Sequence, residues 1–175
     1  LSQLFAGERQ QGTLRRLLTT PTTKATYLLG TILGQVFWAF VQLGLLIAFG
    51  ILAMRLNWGQ DLGGLVILLL AFTLSAAALG TFLGTLVKTE SQANGLSIML
   101  GMVMALLGGC WYPIELFPEV VRNIVKILPT TWVMQGMLDL VLRGQGLSAI
   151  LPEAGVLFGF AAVFFILGIM RFRYE

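Results

Sequence analysis

Residues 62–87 read LGGLVILLLAFTLSAAALGTFLGTLV, 26 positions between Asp61 and Lys88 without one charged side chain. A helix rises about 1.5 Å per residue and the hydrocarbon core of a bilayer is about 30 Å thick, so a crossing needs roughly 17–25 mainly apolar residues. The run meets that requirement. Three others do too: 30 uncharged residues from 25 to 54, 24 from 91 to 114, and 17 from 154 to 170. Of the 175 residues 57% are hydrophobic and 11% charged, with a mean hydropathy of +0.88. Soluble domains carry about 25% charged residues to stay solvated, so lipid fits as solvent better than the interior of a large soluble protein. The expected fold is an all-α membrane protein with four transmembrane helices at 26–54, 62–87, 91–112 and 154–171.

The chain starts at Leu1, and residues 1–7 read like the last turns of an earlier span. The expectation is one transmembrane domain, 1–175, cut from a longer protein, with no signal peptide in view. Cys110 is the single cysteine, so an intrachain disulfide and a Cys-based metal site are excluded, and the absence of His excludes imidazole chemistry. Catalytic and metal-ligating residues are expected to be none.

Charge placement suggests orientation. If residues 8–25 are cytoplasmic, that side holds seven cations (Arg9, Arg15, Arg16, Lys24, Lys88, Arg171 and Arg173) and the other side four (Arg55, Arg122, Lys126 and Arg143). The excess favours a cytoplasmic start and end.

The connection 113–152 is too long and too patterned for a plain loop. Pro118 suits a first helical turn, and Phe117, Val120, Val121, Ile124 and Leu128 recur at helical spacing, with Glu119, Arg122, Asn123 and Lys126 on the other face. Pro129 ends that helix. Thr130 or Thr131 can cap a second one carrying Trp132, Leu138, Val141 and Leu142, and Gly144 stops it. The expectation is an outer helical hairpin that dips into the outer leaflet or packs on the bundle, with Trp111, Tyr112 and Trp132 at interfacial depth.

Small residues recur every four positions: Gly30 and Gly34; Ala76, Gly80 and Gly84; Gly101, Ala105 and Gly109. Such rows serve close packing within one subunit or a dimer seam. Residues 8–21 read ERQQGTLRRLLTTP. Leu14, Leu17 and Leu18 share a face, Arg9, Arg15 and Arg16 project elsewhere, and Pro21 stops the helix. A short amphipathic helix of this kind either floats at the lipid interface or docks into a groove of a soluble partner.

Glu8, Gly12, Thr13, Leu14, Leu17, Leu18 and Pro21, followed by Leu29 and Gly30, resemble the permease subunits of type-2 ABC exporters. Gly109, Tyr112, Pro113, Pro118, Pro129, Thr131 and Trp132 are similar to the extracellular hairpin of the same family. The resemblance covers nearly the whole chain. It implies that Glu8, Gly12, Thr13, Leu14, Arg15, Leu17 and Leu18 form a coupling helix seated in a cytoplasmic ABC ATPase, which holds ATP and Mg. It further implies six spans per subunit, a second permease subunit (homo- or heterodimer), membrane lipids as surroundings, a multi-pass place in the cell membrane, and no nucleic-acid partner.

Two absences agree. No Gly-x-x-x-x-Gly-Lys-Ser/Thr run is present to cradle nucleotide phosphates. The four expected spans hold no ionisable residue at membrane depth, which disfavours a proton- or sodium-coupled carrier. Substrate-path candidates are Gln35 and Gln42 on one face of the first span, Asn94 and Ser97 in the third, and Met102 with Met99 and Met104 above them. Buried amides more often join helices, and Met often only packs. Glu115 and Glu119 could gate an outer exit or simply be solvated. The function expected is an ATP-driven exporter permease for amphipathic or hydrophobic substrates (drug, antibiotic or lipid-like) working by alternating access. The alternatives are export of lipid-linked polysaccharide and a non-transporting anchor or assembly factor.

Overall fold

The computed structural model describes residues 24–56, 58, 61–87 and 89–171. Among these residues every regular element is helical: α1 (Lys24–Met54), α2 (Leu62–Leu86), α3 (Glu90–Leu107), a 3-10 turn (Ile114–Leu116), α4 (Glu119–Val125), α5 (Pro129–Met137) running into a π-helical turn (Leu138–Leu142), and α6 (Leu147–Arg171). The expected segment 8–21 lies outside the described residues.

Three helices are long and apolar enough to cross a membrane, spanning Ala25–Met54, Leu62–Leu86 and Leu147–Arg171. Counting the bent pair Glu119–Val125 and Pro129–Leu142 as one crossing gives four. The expected span 91–112 is not one of these: its helix α3 has 18 residues, about 27 Å, and is less apolar than the three that qualify. Its end is set by Gly108 as C-cap and by Gly109, whose φ of 93° lies in the left-handed region that favours glycine.

At the core is α2, which packs mainly on α6 and also on α1 and α5. Leu65, Leu68 and Ala71 of α2 meet Val133 and Leu140 of the α5 segment and Ile150, Ala154 and Leu157 of α6. A second cluster joins Ile32 and Val36 of α1 to Ala77 and Ala78 of α2, with Phe164 and Phe165 against it. Gly136 permits the close approach of α5, since a Cβ there would lie 2.8 Å from the Leu68 methyls.

Asp61 organises one end of the bundle. Its Oδ1 accepts from the Gly64 N–H at 2.9 Å, capping α2, and its Oδ2 accepts from the Leu147 N–H at 2.7 Å, capping α6. Two helix N-termini, each with orphan donors, thus share one carboxylate, and α2 and α6 run parallel from it. The second bond also explains why α6 starts at Leu147 and not at the expected 154: its acceptor is 86 residues away. Glu153 is therefore inside α6, about 9 Å from its start, and its Oε2 is buried without a hydrogen-bond partner. This corrects the expectation of a last span beginning beyond Glu153.

The bonds from Gly64 and Leu147 hold the Asp61 carboxyl below its ordinary value of 3.8. A depressed carboxylate stabilises the fold above the unfolded pKa, and that contribution disappears as pH falls through the folded one. Asp61→Ala is expected to lower the thermal midpoint in detergent more than Thr89→Ala, which frees only the Gln92 N–H. Melting curves from about pH 6 to about pH 3 should show wild type converging on the Asp61 variant at the acid end. Constant separation would remove Asp61 from the account.

Candidate functional site

Between α1, α2 and α3 lies a cavity of about 1060 Å³. The small residues explain why it exists. Ala76 and Gly80 of α2 and Gly101 and Ala105 of α3 are on its wall, so these rows leave a space open. Gly84, of the same α2 row, is buried and off the wall. Gly30 and Gly34 have no atom within 4 Å of where a Cβ would stand, so they join no helix contact among the described residues.

No Asp, Glu, Lys or Arg lines the cavity among the described residues; Gln35, Gln42, Ser97, Thr73 and Thr130 are its polar side chains. Thr73 and Thr130 hydroxyls already donate to the carbonyls of Leu70 and Met104. The two Gln amides and Ser97 are the other polar side chains on the wall. Of the five expected path residues the structure gathers Gln35, Gln42 and Ser97. Asn94 and Met102 are elsewhere, and Met102 is 60% exposed on another face of α3. Met104 is the methionine on the wall.

The end of the cavity nearest the α4–α5 corner is built by Pro129, Thr130 and Cys110. Here the structure departs from the expected caps. Leu128 occupies the N-cap of α5 and Pro129 its first turn, where a missing N–H costs nothing. The next three residues instead serve the ends of other helices. The Thr130 hydroxyl donates to the Met104 carbonyl of α3 at 2.9 Å, the Thr131 hydroxyl to Val125 at 2.6 Å, and the Trp132 indole N–H to Lys126 at 2.7 Å. The Met104 and Val125 carbonyls also accept from the Gly108 and Leu128 N–H groups, at 2.8 and 2.9 Å, so each threonine hydroxyl adds a second bond to a carbonyl at a helix end. Thr130, Thr131 and Trp132 thus tie three helix ends into one junction. A Cβ on Gly108 would stand 2.1 Å from the Thr130 hydroxyl, so the junction has no slack there.

The remaining hairpin residues are also placed. Pro113 precedes the 3-10 turn and Pro118 is the N-cap of α4, one position before the expected first turn. Tyr112 and Trp111 are exposed, as are Val120 and Ile124, which the periodicity placed on the same apolar face as Val121; the residue α4 buries is Val125. Glu115 is exposed, and Glu119 is 3.8 Å from Arg122. Gly144, with φ of 61°, follows the π-helical turn as expected. The expected coupling residues Glu8, Gly12, Thr13, Leu14, Arg15, Leu17 and Leu18 lie outside the described residues. Asp61 and the Thr130 bond escaped the sequence reading, because their partners are remote in sequence.

The chain is 26% identical over 165 residues to the linearmycin resistance permease protein LnrN of Bacillus subtilis (strain 168), a match covering 94% of this chain and 43% of that protein. It is 27% identical over 169 residues to the inner membrane transport permease YhhJ of Escherichia coli (strain K12), covering 95% and 45%. The chain therefore spans a little under half the length of these relatives. No solved structure matches it. Apolar helices of spanning length, an uncharged cavity among them, and a match to the ABC-2 family transporter protein model over residues 1–170 lead to one assignment: the chain belongs to the ABC-2 family of transporter permeases, multi-pass membrane proteins.

Proposed function

We propose that this chain is part of the permease subunit of an ATP-driven exporter that moves amphipathic or hydrophobic compounds outward. The observation that carries the substrate class is the cavity wall: large, apolar, uncharged, with two glutamine amides and a serine hydroxyl. Pockets of this kind gain affinity from apolar contact and orientation from a few polar groups. One relative is named for resistance to linearmycin, which accords with removal of a harmful compound. Lipid-linked polysaccharide export is less well supported. Phe72 is the one aromatic residue on the wall among the described residues, while Phe37 and Trp38 pack edge to face with each other and are exposed.

In this reading a cytoplasmic ABC ATPase binds ATP and Mg, and residues 8–18 carry its motion into the spans. A second permease subunit completes the transporter. The cavity faces inward and outward in turn, and the junction at Thr130 closes its outer end between cycles.

The test is ATP-dependent uptake of a fluorescent amphipathic amine into inverted vesicles holding the full transporter. Gln35→Leu with Gln42→Leu should change apparent affinity several-fold and alter preference among compounds, since orienting amides act on selectivity more than on apolar attraction. Unaltered selectivity would mean that the amides do not meet the substrate.

A further inference from the structure

The cavity is a slot about 16 Å long, since its α1 wall runs from Gln35 to Leu46 and its α2 wall from Phe72 to Leu83. Both walls belong to helices long and apolar enough to cross a membrane, and Phe72 is about 15 Å from the Asp61 end of α2. A guest lying along the slot therefore has most of its length at membrane depth.

Nothing on the described wall compensates an ion. Asp, Glu, Lys and Arg are absent from it, and Phe72 is its one aromatic ring, too few for a cation–π cage. The Thr73 and Thr130 hydroxyls direct their protons to the Leu70 and Met104 carbonyls. Helix ends add no net charge either. The last turn of α3 meets the first turn of α5 at the Met104–Thr130 bond, so the partial negative charge of one terminus opposes the partial positive charge of the other. Gln35 and Gln42 stand about 10 Å apart along one face of α1, each with an oxygen that accepts and an NH2 that donates. These amides suit the hydroxyl, amide or carbonyl groups of a guest. They do not neutralise an ion, and a quaternary ammonium offers them no N–H.

We propose that the cavity selects uncharged guests: neutral amphipathic molecules bind, and an amphipathic amine enters as its free base and not as its cation. The selection concerns the same cavity as the export reading and rests on that reading for its use in transport. Its origin is solvation. An ammonium or carboxylate carried into the slot loses hydration and gains no counter-charge, whereas a neutral polar group exchanges its water for the two amides. Gln42, exposed within the wall, is the place where one added carboxylate would supply the missing counter-charge.

Affinity measured without ATP tests it. The probes are dansyl-tagged decyl chains ending in tert-butyl, trimethylammonium or carboxylate, the first two nearly identical in shape. They are titrated onto the full transporter in phosphatidylcholine nanodiscs, with partition into empty nanodiscs subtracted. Ala76→Trp, which fills the slot, identifies the binding that belongs to the cavity. The tert-butyl probe should show such binding, and both ionic probes should bind there at least about tenfold more weakly. Gln42→Glu should raise trimethylammonium affinity at least about tenfold and leave the tert-butyl probe no better bound. An ionic probe held as tightly as the neutral one at the Ala76-sensitive site would overturn the proposal. So would an unchanged preference in Gln42→Glu, or a tert-butyl probe with no Ala76-sensitive binding. No transport is read here, so these outcomes are separate from failure of the export reading, which vesicle uptake decides.

Discussion

Ala76→Trp is expected to reduce export at least about tenfold while leaving the protein inserted and folded. Ala76 is exposed within the cavity wall, one helical turn from Gly80, with Gly101 and Ala105 also on that wall. An indole there occupies space that nothing else fills, so it displaces no packed neighbour and costs little of the over-packing strain that core insertions bring, about 1–3 kcal/mol. The contrast is Leu68→Ala. Leu68 is 0% exposed between α2, α5 and α6, and removing it leaves a void worth about 2–5 kcal/mol. That variant should lose stability first and transport only in consequence. Vesicle uptake and a thermal midpoint in detergent, measured on both variants, separate blockage from unfolding. Full transport by Ala76→Trp would show that the cavity is not the route.

The long apolar elements were legible because their signal is local. Uncharged runs bounded by Asp61, Lys88 and Arg171 mark the spans, and the proline pair 118 and 129 marks the two short helices. What the sequence left hidden was joined across distance. The run from 91 to 114 is long enough to cross, yet α3 stops at Leu107, where Gly108 is the C-cap and Gly109 takes a positive φ. Thr130 and Thr131 have the residue type of N-caps, and only the fold shows that their hydroxyls serve α3 and α4. The periodicity of α4 is real, but it identifies an apolar face without saying whether protein or lipid covers it. Val120 and Ile124 repeat in sequence as a packing face would, while Val125 is the residue that packs. Of the path candidates, the two glutamines seven apart on α1 and Ser97 line the cavity, whereas Met102 is one helical face away.

The second large effect concerns residues 8–18, which lie outside the described residues and whose role rests on their pattern and on the family. If the proposed docking is right, Leu14, Leu17 and Leu18, which stand at helical spacing in the sequence, each contribute about 1.5–3 kcal/mol to it. Leu14→Ala with Leu17→Ala should therefore weaken a docked complex by more than about a hundredfold. Arg15 and Arg16, at the rim, should chiefly change encounter rate and salt sensitivity. If the segment merely floated on lipid, the ranking would invert: loss of each Arg would weaken headgroup attraction by about 1 kcal/mol, and partner binding would be untouched.

The most direct measurement is the amount of ATPase recovered per permease when the full transporter is purified through its membrane subunit. It should be made for wild type, for Leu14→Ala with Leu17→Ala, and for Arg15→Gln with Arg16→Gln, at equal insertion. Near-complete loss of ATPase from the leucine variant, with most retained by the arginine variant, is the predicted result. Wild-type recovery from the leucine variant would contradict the claim that this permease is driven by a separate ATPase through residues 8–18.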